Sequence, residues 1–256
     1  MVNPPAQIQA IYRYPVKGLT PQKQERTVLT AGATLPADRL YAIENGSSGF
    51  DPAAPKYFQK DRFLMLMHNE RLAGLRTDYD EASHTLRIQW EGREAAAGDL
   101  RTAQGRLAIE AFFARFMPDE LRGPPKVLYG DNHSFSDVSR KVLSIINLSS
   151  VTAVETAVGA PVNPLRFRGN FYVAGWPAWH EFDLLGKELS AGSARLKVVK
   201  RIMRCAATDV DPDTGIRDLT LPHTLMQNFG HADCGIYAEV VAGGDIANGD
   251  TLTPVA

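Results

Sequence analysis

Apolar and polar residues alternate over several short stretches of the chain, a pattern typical of β-strands that bury one face. Turn-forming residues separate these stretches, and short strands at this spacing predict a β-barrel or a β-sandwich. The stretches predicted as strands are Gln7–Tyr14, Glu25–Leu29, Leu40–Glu44, Leu72–Thr77, Thr85–Trp90, Lys126–Tyr129, Phe171–Ala174, Ala194–Ile202, Gly235–Val241 and Asp250–Thr253. Ala242–Gly249, which is rich in glycine, is predicted as the connection between the last two strands.

Helical spacing of apolar residues occurs between some of these strands. Three helices are predicted, over Gly105–Met117, Ser149–Val158 and Leu221–Phe229. The first has an amphipathic pattern with an aromatic stripe, and Pro118 ends it. The second has Ser149 or Ser150 as its predicted N-cap and Gly159 just past its end.

The length of the chain, 256 residues, fits one large domain or two small domains that pack closely together. Gly123-Pro124-Pro125 is the clearest linker, and it divides the chain into residues 1–122 and 123–256. Asn45–Pro55 is a loop long enough to act as a flexible lid or to be a simple insertion.

The composition of the chain argues against several classes of protein. Hydrophobic residues make up 44% of the chain, which is enough for a substantial core. The net charge of −1 argues against the strongly basic surface of a nucleic-acid-binding protein, although a local basic pocket remains compatible with it. No run of about 18 apolar residues occurs, and Met1–Ala10 lacks the pattern of a signal peptide, so we expect neither a membrane span nor secretion.

The chain has two cysteines, Cys205 and Cys234, which are too few for a disulfide framework. We therefore expect two free thiols in a reducing cytoplasm. The same count excludes a four-cysteine zinc site and a plant-type iron–sulfur cluster. The motifs G-x-x-x-x-G-K-[ST], G-x-G-x-x-G, G-x-S-x-G and H-E-x-x-H are absent, and the six histidines show no ligand-like spacing.

The sequence around Cys205 combines a predicted strand, a cluster of cations and a turn. The long strand predicted before it leads into a cysteine flanked by Lys200, Arg201 and Arg204, and Asp209–Gly215 (DVDPDTG) follows. Cationic neighbours favour a thiolate, which is the form that binds metals and attacks electrophiles. Cys205 is therefore a candidate reactive or metal-binding residue, and the alternative is an inert thiol in the core.

Two other places carry candidate binding residues. Asn163–Asn170 (NPLRFRGN) contains Arg166 and Arg168, which on a strand would point to the same side and could grip a phosphate. Lys17 lies in a predicted turn after the first strand, where a solvated surface lysine is the simpler interpretation. Cys234 is interpreted as a small buried residue at the start of a strand.

Taken together, these segments resemble the motifs of the MOSC family, which is named for the C-terminal domain of molybdenum cofactor sulfurase. The most specific motif, R-C…D-P-x-T-G, is matched by Arg204-Cys205 together with Asp211–Gly215. The other matching segments are Tyr14–Lys17 (Y-P-V-K), Asp38-Arg39 (D-R), Phe167–Asn170 (F-R-P-N, here FRGN), Gly235–Ala238 (G-V-Y, here GIYA) and Gly249-Asp250 (G-D). They occur in the family's order and span almost the whole chain.

The resemblance implies an α+β, β-rich fold, with a MOSC-type β-barrel, an N-terminal β-barrel subdomain and peripheral helices. Residues 1–122 would form the N-terminal domain and residues 123–256 the MOSC domain. In the branch that includes the mitochondrial amidoxime-reducing component, the signature cysteine ligates the molybdenum of a pterin cofactor, which implies this role for Cys205. The residues implied to hold the pterin and its phosphate are Lys17, Arg39, Ser136, Arg168, Asn170 and Arg204.

The chain departs from the family motifs in three places. Met203 stands where a small hydroxyl residue often precedes Arg-Cys. Gly169 replaces the proline of F-R-P-N, which we expect to loosen the backbone while Arg168 and Asn170 are kept. No iron–sulfur domain follows the MOSC domain, as it does in some bacterial relatives, so we expect electrons to come from a separate protein.

The function implied by the resemblance is that of a molybdenum-cofactor oxidoreductase that reduces N-hydroxylated or N-oxide compounds. One alternative is a sulfur carrier with a persulfide on Cys205, and another is a cofactor carrier without turnover. A barrel without any small-molecule site is the plainest alternative. The expected partners are a small-molecule substrate and an electron-donor protein, with no nucleic acid and no membrane.

Overall fold

The computed structural model describes residues 4–255, so Met1–Asn3 of the segment tested for a signal peptide lie outside the described residues. Within that range the chain forms fifteen β-strands and three α-helices. The strands are β1 (Ala6–Arg13), β2 (Gln22–Gln24), β3 (Arg26–Leu29), β4 (Tyr41–Asn45), β5 (Arg76–Asp80), β6 (Thr85–Trp90), β7 (Arg93–Asp99), β8 (Pro125–Tyr129), β9 (Leu143–Asn147), β10 (Phe171–Ala174), β11 (Glu188–Ala191), β12 (Ala194–Met203), β13 (Asp233–Ala242), β14 (Gly244–Ala247) and β15 (Thr251–Pro254). The helices are α1 (Ala103–Phe116), α2 (Leu148–Val158) and α3 (Leu221–Phe229).

Seven strands form a closed barrel in the order β1-β10-β9-β13-β12-β11-β15, and β15 pairs again with β1. The pairing of β9 with β10 is parallel and the other pairings in the barrel are antiparallel. Closure leaves no strand edge unpaired, so the backbone groups of these strands are satisfied within the barrel. The barrel and its peripheral helices confirm the fold class implied by the motifs.

The barrel interior is filled by alternate residues of each strand. In β12, Ala194, Leu196 and Val198 are buried, whereas Arg195 and Lys197 between them are exposed. This is the period of two that the sequence shows in this stretch. The buried residues of β12 share one core with Ile8, Leu143, Ile145, Val173, Leu189, Ile236 and Leu252 from the other barrel strands.

A second core lies outside the barrel, beneath α1. This helix packs on β7 and β8, and its buried side chains Ile109, Phe112, Phe113 and Phe116 meet the strands of two small sheets, β4-β8 and β5-β6-β7. The aromatic stripe of α1 is therefore part of the core, as its spacing predicts. Met117 caps the helix before Pro118, as predicted.

A third core joins α2 and α3 to the outer face of the barrel. Cys234 belongs to it and is fully buried, as predicted. Burial raises the pKa of the Cys234 thiol to about 12, with Arg204 opposing the shift. A thiol in this state is unreactive at neutral pH.

Two local predictions about helix ends have different outcomes. Gly159 ends α2 in the left-handed region at φ 75°, as predicted. The N-cap prediction is wrong, because Asn147 caps α2 by accepting a hydrogen bond from the Ser149 backbone N–H at 3.1 Å. The hydroxyl of Ser150 instead donates to the buried carboxylate of Glu181 at 2.8 Å.

Three predictions of strands or loops are wrong. Glu70–Gly74 is a 3-10 turn, and the strand predicted over Leu72–Thr77 begins only at Arg76. Leu72 and Leu75 are both buried because they lie three residues apart, which is the repeat of a 3-10 turn. The glycine-rich connection near residue 245 contains β14, which pairs with β3. The strand expected to carry Arg166 and Arg168 is absent among the described residues, and the site below gives the reason.

The two halves of the chain share the barrel. β1 pairs with β10 and β15, and β3 pairs with β14, so strands from the first 30 residues lie between strands of the second half. The division at residues 122 and 123 stays a prediction. Between the barrel and the first-half sheets lies a cavity whose walls come from both halves.

None of the helices between residues 4 and 255 has the length and hydropathy to cross a membrane.

Candidate functional site

The cavity has a volume of about 220 Å³ and contains every site residue that the motifs indicate. Those residues are Lys17, Arg39, Ser136, Arg168, Asn170, Arg204 and Cys205. They come from segments spread over nearly 190 positions of the sequence, and the fold brings them to one place. Their roles toward a cofactor stay predictions, and the contacts below show what each side chain does within the protein.

Cys205 lies two residues after the end of β12, where the chain enters a 3-10 turn over Ala206–Asp209. Its side chain is half-buried and lines the cavity. The Cys205 carbonyl accepts hydrogen bonds from the backbone N–H and from the hydroxyl of Thr208, both at 3.0 Å. The cysteine is therefore held at the end of a rigid strand and remains reachable, as the sequence predicts.

The D-P-D-T-G segment after the cysteine forms a self-contained turn. The Asp211 carboxylate accepts from the backbone N–H groups of Asp213 at 2.9 Å and Thr214 at 2.8 Å. Gly215 has φ +72°, which favours glycine, and its N–H donates to the Asp211 carbonyl at 2.9 Å. The turn residues of this motif thus act on the loop, and they do not enter the cavity.

Arg166 contacts this loop with its side chain. On a strand it would point the same way as Arg168, but the structure does not place it on a strand. Pro164–Phe167 forms a 3-10 turn in place of a strand, so the two arginines diverge. The Arg166 guanidinium donates to the Asp209 carbonyl at 2.9 Å, the Asp211 carboxylate at 2.9 Å and the Asp218 carboxylate at 2.8 Å. Its side chain is 2% exposed, and these acceptors make it a buried anchor of the signature loop.

Arg217 ties the same loop to the first half of the chain. It donates to the carbonyl of Ala206, next to Cys205, and to the Glu70 carboxylate at 2.9 Å. It also donates to the carbonyls of Leu66 and Met67, both at 3.2 Å. The position of the cysteine loop is therefore set by both halves of the chain, and the sequence motifs give no signal for this role of Arg217.

Arg204, which precedes Cys205 in sequence, donates its guanidinium hydrogen bonds to backbone carbonyls. Its Nε donates to the Cys234 carbonyl at 2.7 Å and its Nη1 to the Phe167 carbonyl at 2.9 Å. Gly235 is needed beside it, because a Cβ there would lie 3.1 Å from Arg204 Nη2 and 2.6 Å from the Ile145 carbonyl oxygen. Arg204 thus joins β12, β13 and the FRGN segment at the wall of the cavity.

Lys60 is a cation beside Cys205 that sequence reasoning does not identify. It begins the 3-10 turn Lys60–Arg62, is half-buried and lines the cavity. Burial lowers the pKa of Lys60, but the nearby Cys205 and the charge of Asp137 outweigh burial and raise it above its ordinary value. Lys60 therefore stays charged at neutral pH and adds a cation near Cys205 to those that the sequence places next to it.

The loop that leads to Lys60 is anchored on the segment that carries Ser136. The rings of Phe50 and Phe135 lie 5.1 Å apart, and the Tyr57 hydroxyl donates to the Asp137 carbonyl at 3.1 Å. Ser136 itself is half-buried between these contacts and lines the cavity. The loop thus fixes one wall of the cavity.

Lys17 is buried, which overturns its simpler interpretation as a solvated surface lysine. It is 5% exposed, and its Nζ donates to the Phe135 carbonyl at 2.9 Å and to the Asp137 carboxylate. Burial lowers the pKa of Lys17, and Asp137 opposes this shift. Burial would raise the pKa of Asp137, but the charges of Lys17 and Lys60 and the hydrogen bond from Lys17 hold it well below its ordinary value.

Asp137→Asn is expected to destabilise the protein by about 1 kcal/mol at neutral pH, because the aspartate is 48% exposed and solvent screens the pair. A carboxyl with a depressed pKa contributes stability above its ordinary pKa of 3.8 and loses it in acid. Without its partner, Lys17 loses its proton more readily in the folded state, so the deficit of the variant shrinks as the pH rises toward 10.5. The gap between wild type and variant is therefore widest between these two values.

Urea denaturation of both proteins across this pH range measures the effect. Asp119→Asn is the matched control, since Asp119 is exposed and forms no salt bridge among the described residues. An equal gap at every pH would show that the Lys17–Asp137 charge pair does not contribute to folding.

Arg39 and Arg168 both have positive φ values, 50° and 49°, which are uncommon for residues with a side chain. Arg39 donates to the Asp38 carboxylate and, at 3.0 Å, to the Arg168 carbonyl. Arg168 donates to the Leu19 carbonyl at 2.8 Å. Strained backbone of this kind persists where surrounding contacts fix it, and it clusters at functional sites.

Asn170 uses its side chain within the barrel wall. Its Oδ1 accepts from the backbone N–H and the hydroxyl of Ser144, both at 3.0 Å, and its Nδ2 donates to the Tyr12 carbonyl at 3.1 Å. The neighbouring Gly169 does not loosen the backbone as expected, because a Cβ there would lie 2.3 Å from Ile146 Cγ1. A glycine is required at this position for close packing.

The cavity carries a large excess of positive charge. Two carboxylates line it, Asp38 and Asp137. The cations that line it are Lys17, Arg39, Lys60, Arg166, Arg168, Lys200, Arg201 and Arg204. Among residues 4–255, five of these cations (Lys60, Arg168, Lys200, Arg201 and Arg204) form no salt bridge with a carboxylate. A concave basic surface in a chain with a net charge of −1 attracts an anionic ligand.

Two family models match the chain. The MOSC domain matches residues 125–253, and the MOSC N-terminal beta barrel domain matches residues 5–117. The chain belongs to the MOSC family. This confirms the family resemblance carried by the motifs, and MOSC domains are associated with the molybdenum cofactor.

The MOSC chain is also similar to curated proteins over part of its length. Mitochondrial amidoxime reducing component 2 of Rattus norvegicus is 30% identical over 105 residues, which are 41% of this chain and 30% of that protein. The Homo sapiens protein of the same name is 30% identical over 122 residues, which are 43% of this chain and 36% of that protein. The chain thus matches about a third of the length of these relatives. Among solved structures, YiiM from Geobacillus stearothermophilus has 23% identity and a TM-score of 0.36, and the match covers 44% of this chain and 54% of that one.

Proposed function

We propose that this MOSC protein binds the molybdenum cofactor and reduces N-hydroxylated or N-oxide small molecules. The observation that carries the proposal is the convergence of a reachable cysteine with unpaired cations in one cavity. One cysteine, Cys205, lines the cavity, while the other, Cys234, is fully buried. The names of the partial relatives support a reductase of amidoximes, which are N-hydroxylated compounds.

The residues present fit this cofactor in their chemistry. A thiolate is a soft ligand and suits molybdenum, so Cys205 would ligate the metal. Arginine forks bind phosphate oxygens in pairs, and Arg168 has a guanidinium that no carboxylate neutralises among the described residues. Lys17 and Arg39 belong to the first half of the chain and Arg168 to the second, so an anion bound by all three would be held by both halves.

The side chains around Cys205 suit a reduction that consumes protons. Conversion of an N-hydroxyl group to an N–H group takes two electrons and two protons and releases one water. When bound, the cofactor would supply the two-electron redox chemistry of this reduction. Lys60 holds a proton on Nζ at neutral pH beside the cysteine, so it is placed to donate to oxygen that leaves the substrate. The electrons come from a separate donor protein.

The test is elemental analysis and turnover of the protein purified from a host that makes molybdenum cofactor. We expect equimolar molybdenum and reduction of an aryl amidoxime or an aromatic N-oxide, with a reduced viologen dye as the electron source. Equimolar molybdenum without turnover on either substrate would favour a cofactor carrier. Absence of molybdenum would overturn the proposal.

Sulfur transfer is the second candidate, and the half-exposed position of Cys205 beside Lys60 favours it. A persulfide forms when the Cys205 thiolate takes a sulfur atom from a donor persulfide, whose thiol then leaves. Both cysteines are free in the structure, which suits the reducing cytoplasm that we propose as the compartment. Intact-protein mass spectrometry would show a gain of one sulfur atom on Cys205 in a protein that carries no molybdenum.

A further inference from the structure

We infer that Tyr14 is a positioning residue of the anion pocket, and that its ring face holds Arg39 and Arg168 in the orientation that receives the anion. The inference rests on the basic pocket of the proposed function and does not depend on the redox reaction. The motifs mark Tyr14 only as the first residue of Y-P-V-K, and nothing in the sequence shows that it meets the D-R and F-R-G-N segments.

The geometry places both guanidinium groups against one aromatic ring. The Arg39 Cζ lies 4.5 Å from the centroid of the Tyr14 ring, and the Arg168 Cζ lies 4.3 Å from it. Tyr14 is completely buried, so water does not screen these contacts from the side of the ring. Cations at these distances are attracted by the negative face of an aromatic ring.

Hydrogen bonds fix the ring at both ends. The Tyr14 backbone N–H donates to the Asp38 carboxylate at 2.8 Å, and its carbonyl accepts from the Arg39 backbone N–H at 2.7 Å. The hydroxyl donates to the carbonyl of Gly169, the residue after Arg168, at 3.2 Å. Tyr14 therefore joins two segments that are 130 positions apart, and it holds the arginine of each.

The two arginines need such support because their backbone conformations and the burial of their charges both cost free energy. Both have positive φ values. Burial and the nearby charge of Arg39 lower the pKa of Arg168. Contact of both guanidinium groups with one ring offsets part of their mutual repulsion and replaces lost hydration.

The ring also leaves hydrogen-bond donors free, which a carboxylate partner would not. A guanidinium has five N–H donors. Among the described residues, the one acceptor for the Arg168 guanidinium is the Leu19 carbonyl. A cation–π contact uses the face of the guanidinium and leaves the N–H groups at its edge for ligand oxygens. Tyr14 therefore positions Arg168 without using its hydrogen-bond donors.

The experiment measures binding of inorganic pyrophosphate to the cofactor-free full chain by isothermal titration calorimetry. Tyr14→Phe keeps the ring and loses the hydroxyl, and incorporation of mono-, di- and trifluorinated phenylalanine at position 14 then weakens the ring face at nearly constant size. We expect Tyr14→Phe to bind within about threefold of wild type, and the trifluorinated protein to bind about tenfold more weakly than Tyr14→Phe, since two cation–π contacts are weakened together.

The same fluorinated residues at Phe113 are the control. Phe113 is fully buried and contacts another phenylalanine ring, with no cation over its ring among the described residues. Fluorination there is expected to leave pyrophosphate affinity unchanged. Affinity that does not fall along the series at position 14, or a wild type that does not bind pyrophosphate, would overturn the inference. The molybdenum content of the wild type is measured separately, so failure of the proposed function is distinguished from failure of this inference.

Discussion

Cys205→Ala is expected to give a folded protein that has lost molybdenum and turnover together. The side chain is half-buried at the end of β12, so truncation to alanine removes the sulfur and little packing. The fold around it is held by Thr208, Arg166 and Arg217, which contact the backbone or the loop and do not need the thiol. Loss of the soft ligand removes the bond by which the protein would hold the metal.

Cys234→Ala is the matched control, because it removes the other thiol of the chain from a fully buried position. It is expected to keep equimolar molybdenum, with a modest loss of stability from the small cavity it leaves. Cys205→Ser adds a second comparison, since its hydroxyl has nearly the same size but is a harder and weaker ligand. Metal analysis and amidoxime turnover are measured on all three variants, and equimolar molybdenum in Cys205→Ala would remove Cys205 from the site.

Arg166→Met is expected to destabilise the protein by about 2 kcal/mol, because a buried guanidinium loses its hydrogen bonds to one carbonyl and two partly exposed carboxylates. The arginine side chain is 2% exposed, while Asp211 and Asp218 converge on it. Methionine preserves the volume, so the effect reports on charge and hydrogen bonding more than on a cavity. The two carboxylates then repel each other, and the Asp209 carbonyl loses its donor.

Arg140→Met is the control for this variant. Arg140 pairs with Glu239 at 2.6 Å, but its side chain is 60% exposed, so its loss is expected to cost less than about 1 kcal/mol. Urea denaturation gives both free energies, and limited proteolysis reports on the loop over residues 209–218. If the loop of Arg166→Met were as resistant to protease as that of wild type, Arg166 would not be its anchor.

The linear motifs predicted the residues of the cavity well. A motif such as R-C…D-P-x-T-G specifies a reactive side chain and a turn within a dozen positions, so it can be recognised from the local sequence alone. Strands with strict local patterns were also predictable, and Thr85–Trp90 and Phe171–Ala174 have the predicted bounds. In these stretches the residues that become buried are marked by local alternation or by an apolar run, so the pattern alone predicts the strand.

The strands that were missed lack such a pattern. Leu143–Asn147 (LSIIN) is buried at all five positions, and its polar residues Ser144 and Asn147 do not alternate with apolar ones. Arg93–Asp99 (REAAAGD) has small and charged residues, and it becomes a strand because β6 pairs with it. In both cases the neighbouring strands determine the structure, and intrinsic preference is overridden.

The errors in the site have the same origin. The spacing of Arg166 and Arg168 gives their relative direction only if the backbone is extended, and Pro164–Phe167 turns instead. Arg204 is adjacent to Cys205 in sequence but meets two carbonyls, whereas Lys60 reaches the cysteine from 145 positions away. Which cation faces a thiol is decided by tertiary packing, and a single sequence does not encode it locally.

The place of β1 in the barrel has a consequence for biosynthesis. Ile8 lies opposite Val173 and Ala6 opposite Leu252, so β1 meets its two barrel neighbours only after long intervening stretches of the chain have been made. Pairings between such distant residues slow folding, and until they form, β10 and β15 present open edges to other nascent chains. Expression of residues 123–256 alone would leave those two edges exposed permanently, so the second half of the chain is a poor unit for dissection or fusion, and circular permutation that joins β15 to β1 is the more promising design.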